Sequence, residues 1–308
     1  MDAQPTLLDR LTAEGLLLPS GVDGVYGRSE VFEDVLERVA AAAGVWGAEA
    51  SVSPKPEVLR FPPAMPRQGL VQSGYLNGFP HLAGTIHSFC GDEAGHREML
   101  RCIAVGDDWS ALQSSTELSL TPAACYPVYP IVARRGVLPD EGLLIDVRSY
   151  CFRHEPSLDP ARMQAFQMRE FVRIGSSEQV VAAREEWLAR GPALMARLQL
   201  PHEVDVANDP FFGRGGKMLK VSQRDQKLKF EMMILVAHAG AMTACMSFNY
   251  HGDHFGQLHD IRTPDGCLAH TGCVGFGLER LTLALLRHHG FDPEAWPSQV
   301  RAVLWGTA

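Results

Sequence analysis

From Ser29 onward the apolar residues Val31, Phe32, Val35, Leu36 and Val39 recur at intervals of three and four, the period of a helix with one buried face. Ser29 is a favourable N-cap, and Glu30, Glu33 and Asp34 put negative charge where the helix dipole is positive. The pattern predicts a helix over 29–43. After Gly44 and Gly47 an extended run closes on Val58, Leu59, Arg60 and Phe61, followed by Pro62 and Pro63, which cannot continue a ladder. Further on, Ile145–Phe152 and Phe166–Ile174 read as strands, and the polar stretch Glu155–Pro160 between them suits an antiparallel pair. Ser176 opens the next helix with Gln179 at the reciprocal capping position, while Gly191 and Pro192 are expected to break or kink it. Phe230–Val236 and Met242–Tyr250 read as a second strand pair. A last helix, from about Leu278 to His288, stops at Gly290 with Arg287, His288 and His289 at its negative end. Elements in this order predict an α+β class, a central antiparallel sheet flanked by helices.

Composition narrows the picture. A length of 308 residues allows two small domains or one large one, and with no repeat or low-complexity stretch a single domain over 1–308 is the simpler reading. The 28 basic against 36 acidic residues leave a net charge of −8, the reverse of the basic excess that extensive nucleic-acid binding requires. No run of about 18 apolar residues is present, and Met1–Arg10 carries Asp2 and Asp9 without a basic start, so neither a membrane span nor a secretory signal is expected. Seven scattered cysteines without a CxxC pair suit reduced thiols in a cytoplasm. No GxxxxGK[ST] loop appears, and Gly272, Gly275 and Gly277 do not satisfy the dinucleotide pattern, so any phosphate must be met by arginines.

Two segments supply them. Cys151-Phe152-Arg153-His154-Glu155 is followed, after a short loop, by Arg162-Met163-Gln164-Ala165-Phe166-Gln167-Met168-Arg169-Glu170. Near the C-terminus, Gly275-Phe276-Gly277-Leu278-Glu279-Arg280 turns from strand to helix. These resemble motif 2 (about 151–171) and motif 3 (about 272–288) of class II aminoacyl-tRNA synthetases, and the helix-strand-proline unit resembles motif 1 (about 29–63). Within that class Ser115-Thr116-Glu117 stands where seryl enzymes carry their TxE loop. The phrases around Cys125, Ser247-Phe248-Asn249-Tyr250-His251 and His270-Thr271-Gly272-Cys273 resemble the amino acid:[carrier protein] ligases, truncated homologues of the atypical zinc-dependent seryl-tRNA synthetases.

The resemblance implies a class II synthetase-like catalytic core in which ATP and a small amino acid, glycine in preference to alanine, form an adenylate. The aminoacyl group then passes to the phosphopantetheine thiol of a carrier protein. Arg153 is implied to hold the α-phosphate and the amino acid carboxylate, and Arg280 the γ-phosphate. Glu155 would accept from the adenine amino group, Phe166 would stack on the ring, and Arg162 completes the ATP-binding set. Always-charged guanidinium groups suit the charge that builds on phosphorus and on departing pyrophosphate. The seryl family's magnesium-binding glutamate falls on Thr243, which leaves Glu231 to serve with Mg2+. Glu117 and Asn249 are implied substrate contacts. Zinc is implied on Cys125, Glu170 and Cys273, three ligands with a fourth position for the substrate amine; on spacing alone these cysteines read as core residues. For His251 and His254 a hydrogen-bonding or solvated role is the expectation.

A carrier protein is commonly acidic around its modified serine, so a cationic patch is needed, and the candidate is a helix end and glycine-rich loop from Glu203 to Lys217 with Arg214 and Lys217. Motif 1 implies a homodimer, and its early start implies no tRNA-binding arm. Two alternatives stay open at this point: a minimal seryl-type enzyme charging tRNA, and a catalytically silent paralogue acting as a binding or regulatory subunit.

Overall fold

The computed structural model describes residues 5–207, 209, 228–237 and 242–306. Helix α1 spans Glu30–Ala48, and Ser29 Oγ accepts the Phe32 N–H at 3.3 Å. It continues beyond the expected end at residue 43 because Gly44 and Gly47 face the sheet. A Cβ on Gly47 would lie 2.0 Å from Cε1 of Phe171, and one on Gly44 would lie 2.6 Å from the Arg169 guanidinium. These glycines answer a close approach rather than a stop. Gly47→Ala is expected to destabilise the fold by about 1–3 kcal/mol through overpacking. Thermal denaturation checks this, and an unchanged Tm would mean that Phe171 steps aside freely.

Seven strands form the main sheet among the described residues: β1 (Glu57–Arg60), β2 (Leu143–Phe152), β3 (Ala165–Gly175), β4 (His202–Val206), β5 (Lys229–Leu235), β6 (Met242–Gly252) and β7 (His270–Gly277). Their order is β1-β2-β3-β7-β6-β5-β4. The expected antiparallel hairpin pairs Leu143 with Ile174 and Phe152 with Ala165. One edge departs from the expectation, since β1 runs parallel to β2 and makes the sheet mixed. A parallel neighbour needs a long crossover. The chain supplies one in a smaller sheet of Ala64–Pro66, Thr85–Phe89 and Gln113–Leu120.

Helices α1, α2 (Ser177–Arg197) and α3 (Leu278–His289) cover one face. There Trp46, Phe171, Trp187 and Phe276 interlock with ring centroids 5.7 to 6.2 Å apart, in tilted, stacked and edge-on arrangements that add to simple burial. The capping box at Ser176 and Gln179 forms as expected, but α2 does not end at Pro192. A Cβ on Gly191 would be 3.0 Å from both Met232 and Phe248, so close packing on the sheet carries the helix through the proline's missing hydrogen bond. The opposite face is covered in part by the segment around Ala124–Val132 and by the short helix His254–His259, which pack on Val172 and Ile174.

The expected carrier-docking segment divides. Glu203 belongs to strand β4 rather than to a helix end, because α2 has closed at Arg197. Arg214 and Lys217 lie outside the described residues. No described helix is long and apolar enough to cross a membrane.

Candidate active site

Alternation along the strands decides which side chains reach the open face. In β3, Phe171 turns to the helices, whereas Phe166, Met168 and Glu170 turn the other way. In β7, Val274 and Phe276 enter the core while Cys273 and Gly275 do not. Ser247 and Asn249 of β6 and Lys229 and Glu231 of β5 join them around a cavity of about 640 Å³. The ladder fixes who meets whom: Asn249 stands opposite Cys273 on one side and Lys229 on the other, and Glu170 stands opposite Gly275.

Two half-buried arginines enter this cavity. Arg153 follows the end of β2, its Nε donates to the Pro122 carbonyl at 3.1 Å, and its guanidinium lies 5.4 Å from the Phe166 ring centroid. Arg280, in the first turn of α3, donates to the carbonyls of Ala161 and Ala244, both at 2.9 Å. Backbone carbonyls aim each fork while leaving its charge for a ligand.

Between the strands and the segment that precedes helix Val128–Ala133, ligand atoms of Cys125, Glu170 and Cys273 all lie within 4.8 Å of one another, and all three residues are buried. The Cys125 N–H donates to Glu170 at 3.3 Å, while Asn249 Nδ2 donates to Cys273 Sγ at 3.3 Å. His251 Nε2 is 3.8 Å from the same sulfur, and its Nδ1 is 3.1 Å from Thr271 Oγ1. The Cys125 thiol donates to Cys273, with help from His251 and Asn249, and holds the Cys273 thiol well below its usual range. That same bond, with burial, pushes Cys125 up. Burial, then the Cys273 charge, raises the Glu170 carboxyl to about 8. Such a cluster keeps protons at neutral pH that a cation can replace. Two sulfurs and one carboxylate at this separation fit Zn2+ with an open position.

Of the residues expected from sequence, Arg153, Phe166, Arg280, Glu231, Asn249 and the Cys–Glu–Cys set come together around the cavity. Others do not line it. Glu155 and Arg162 sit on the β2–β3 loop and face each other at 3.8 Å. Glu117 is exposed on the small sheet because its neighbour Thr116 turns inward and donates to the Ile86 carbonyl at 2.8 Å.

Lys229 and Tyr75 are among the lining residues that escaped the sequence reading. The Lys229 ammonium holds Asp209 at 2.6 Å and Glu231 at 2.9 Å. Polar residues at alternate positions of a strand, Lys229 and Glu231, were the available signal. Tyr75 comes from a four-residue helix, Tyr75–Gly78, too short for a periodic pattern. Its buried hydroxyl has no hydrogen-bond partner among the described residues, and burial raises its pKa to about 12.

No family model matches the chain. Amino acid--[acyl-carrier-protein] ligase 1 of Bradyrhizobium diazoefficiens is 46% identical over 308 residues, which cover 98% of this chain and 92% of that protein. The type-2 serine--tRNA ligase of Methanopyrus kandleri is 29% identical over 298 residues, covering 88% of this chain and 53% of its own. Among solved structures, the M. kandleri SerRS in complex with A. aeolicus tRNASec matches with a TM-score of 0.79 at 22% identity, covering 98% of this chain and 60% of that one. The fold is that of a class II aminoacyl-tRNA synthetase.

Proposed function

The chain belongs to the amino acid--[acyl-carrier-protein] ligases, and from that membership we propose that it activates a small amino acid with ATP and loads it onto the phosphopantetheine thiol of a carrier protein. It is a ligase. One observation carries the reaction scheme: a single cavity holds two carbonyl-aimed arginines, an aromatic ring beside one of them, and a buried Cys–Glu–Cys cluster.

In this reading Arg153 binds the α-phosphate and the amino acid carboxylate, Arg280 the γ-phosphate, and Phe166 stacks on adenine. Glu155 and Arg162 join them when nucleotide draws the β2–β3 loop inward, and Glu231 serves the accompanying Mg2+. Cys125, Glu170 and Cys273 hold zinc, which supplies a Lewis-acid position for the substrate amine. Asn249 orients the Cys273 sulfur, with His251 on the same atom. Glycine is the preferred substrate, since the polar groups nearest the cluster are already engaged with Cys273 rather than arranged around a side chain. A difference of one methyl is worth about 1–3 kcal/mol, so with contact that excludes the methyl of alanine, glycine should win by about 5- to 150-fold. Carrier contact through Arg214 and Lys217, and a substrate contact at Glu117, remain the reading from sequence. The whole chain acts as one catalytic domain in a homodimer, a reading favoured by the open edge of β1, where Val58 is exposed.

Amino acid-dependent ATP–pyrophosphate exchange across a panel of amino acids tests the first half-reaction. Loading of a phosphopantetheinylated carrier protein, set beside tRNA charging, tests the second. Exchange with glycine and loading of the carrier alone are expected. Exchange followed by tRNA charging would overturn the carrier assignment, and no exchange with any amino acid would favour a binding subunit.

A further inference from the structure

Glu279 precedes Arg280 in the first turn of α3, is 2% exposed, and belongs to the cavity wall without a part in the scheme above. The ladder between β3 and β7 ends at Met168 opposite Gly277, where the chain leaves the sheet to become α3. The next N–H of β3, that of Gln167, has no strand partner there. The Glu279 carboxylate takes it, at 2.9 Å to Oε1 and 2.8 Å to Oε2. Arg28, from the strand Tyr26–Arg28 just before α1, meets the same carboxylate at 2.5 Å. Its other nitrogens hold Tyr150 of β2 and Glu33 of α1. Burial raises the Glu279 carboxyl to about 7, and Arg28 and the Gln167 N–H oppose that rise.

One carboxylate thus ties the residue after Phe166 to the residue before Arg280. We propose that Glu279, held by Arg28, is a positioning residue that sets the distance between the adenine-stacking ring of Phe166 and the phosphate-binding guanidinium of Arg280, and so governs ATP affinity. The inference rests on the roles given to Phe166 and Arg280 above. A carboxylate is needed because Oε1 must serve the Arg28 guanidinium and the Gln167 N–H together while Oε2 takes that same N–H from the other side. An amide of the same shape offers one acceptor oxygen and turns an N–H toward one of the two donors, Gln167 or Arg28.

Calorimetric titration of ATP, alone, into wild type and Glu279→Gln tests the clamp. The variant is expected to bind ATP about tenfold more weakly and to raise KM for ATP in step, with kcat and the amino acid KM within about twofold of wild type. Unchanged ATP affinity, or a loss shared equally by both substrates, would overturn the proposal, because a merely structural role lowers the active fraction without favouring one ligand. Should Glu279→Gln fail to fold, Arg28→Lys keeps the charge but loses the fork; about threefold weaker ATP binding is expected and none would overturn the clamp. Binding is read without turnover, so a wild type that binds ATP but gives no exchange counts against the proposed reaction and leaves the clamp tested.

Discussion

Replacement of Arg153 by alanine is expected to lower glycine-dependent ATP–pyrophosphate exchange by about 10²- to 10³-fold, or about 3 to 4 kcal/mol of transition-state stabilisation. The guanidinium is aimed by the Pro122 carbonyl at 3.1 Å and stands against Phe166, so it need not reorganise when charge builds on phosphorus. Lysine should not rescue it. An ammonium offers a point charge where a planar fork has to reach a phosphate and a carboxylate together. Exchange kinetics measured at saturating ATP and glycine check the kcat component. A loss confined to KM would mean that Arg153 binds both ground and transition states alike, and would remove it from the catalytic role.

The second large effect is expected at Cys273. Cys273→Ser should abolish stoichiometric zinc and reduce exchange by about 10²-fold or more, since loss of even a supporting contact around a metal costs about 10- to 100-fold. Metal analysis of the purified variant and exchange with added zinc give the two readouts. Zinc retained at wild-type stoichiometry would sink the assignment. The same site predicts a pH dependence. Glu170 is raised to about 8 by burial, and Cys125 is raised by its bond to Cys273 and by burial, so both carry protons in the metal-free cluster at neutral pH. A divalent cation must displace them. Protons therefore compete with metal, affinity rises from pH 6 toward pH 8, and protons are released on loading. A chelator-competition series over that range measures the slope, and an affinity independent of pH would contradict the protonation pattern.

Much of this site was legible along the chain, and the part that was not has identifiable causes. The β2–β3 hairpin and α3 follow from local pattern, and the motifs they carry named Arg153, Phe166 and Arg280 by resemblance before any fold was known. Gly47 and Pro192 misled for one reason: each was read for its local propensity, and each was overruled by contacts made far away, with Phe171 and with the packing of α2 on the sheet. The Cys–Glu–Cys cluster has no local pattern and became legible only by resemblance. Glu117 shows the converse limit, since a family position identifies a residue type but the inward turn of Thr116 decides where the next side chain points. Tyr75 and the Arg28–Glu279 pair gave no sign at all, because a four-residue helix carries no periodicity and a contact between β3 and α3 is written in neither segment.

The three residues of the buried cluster come from a loop before Val128, from β3 and from β7, and β3 and β7 are neighbours in the sheet although the second hairpin, β5 with β6, lies between them in sequence. Pairing of such distant strands carries a larger closure entropy than a local hairpin and is correspondingly slower to form. A nascent chain that has reached only β6 holds two of the three cluster residues and no enclosed cluster. Metal capture at the proposed site would therefore report on completed folding: a chain that held zinc with native affinity would already have brought the last strand of its sheet home.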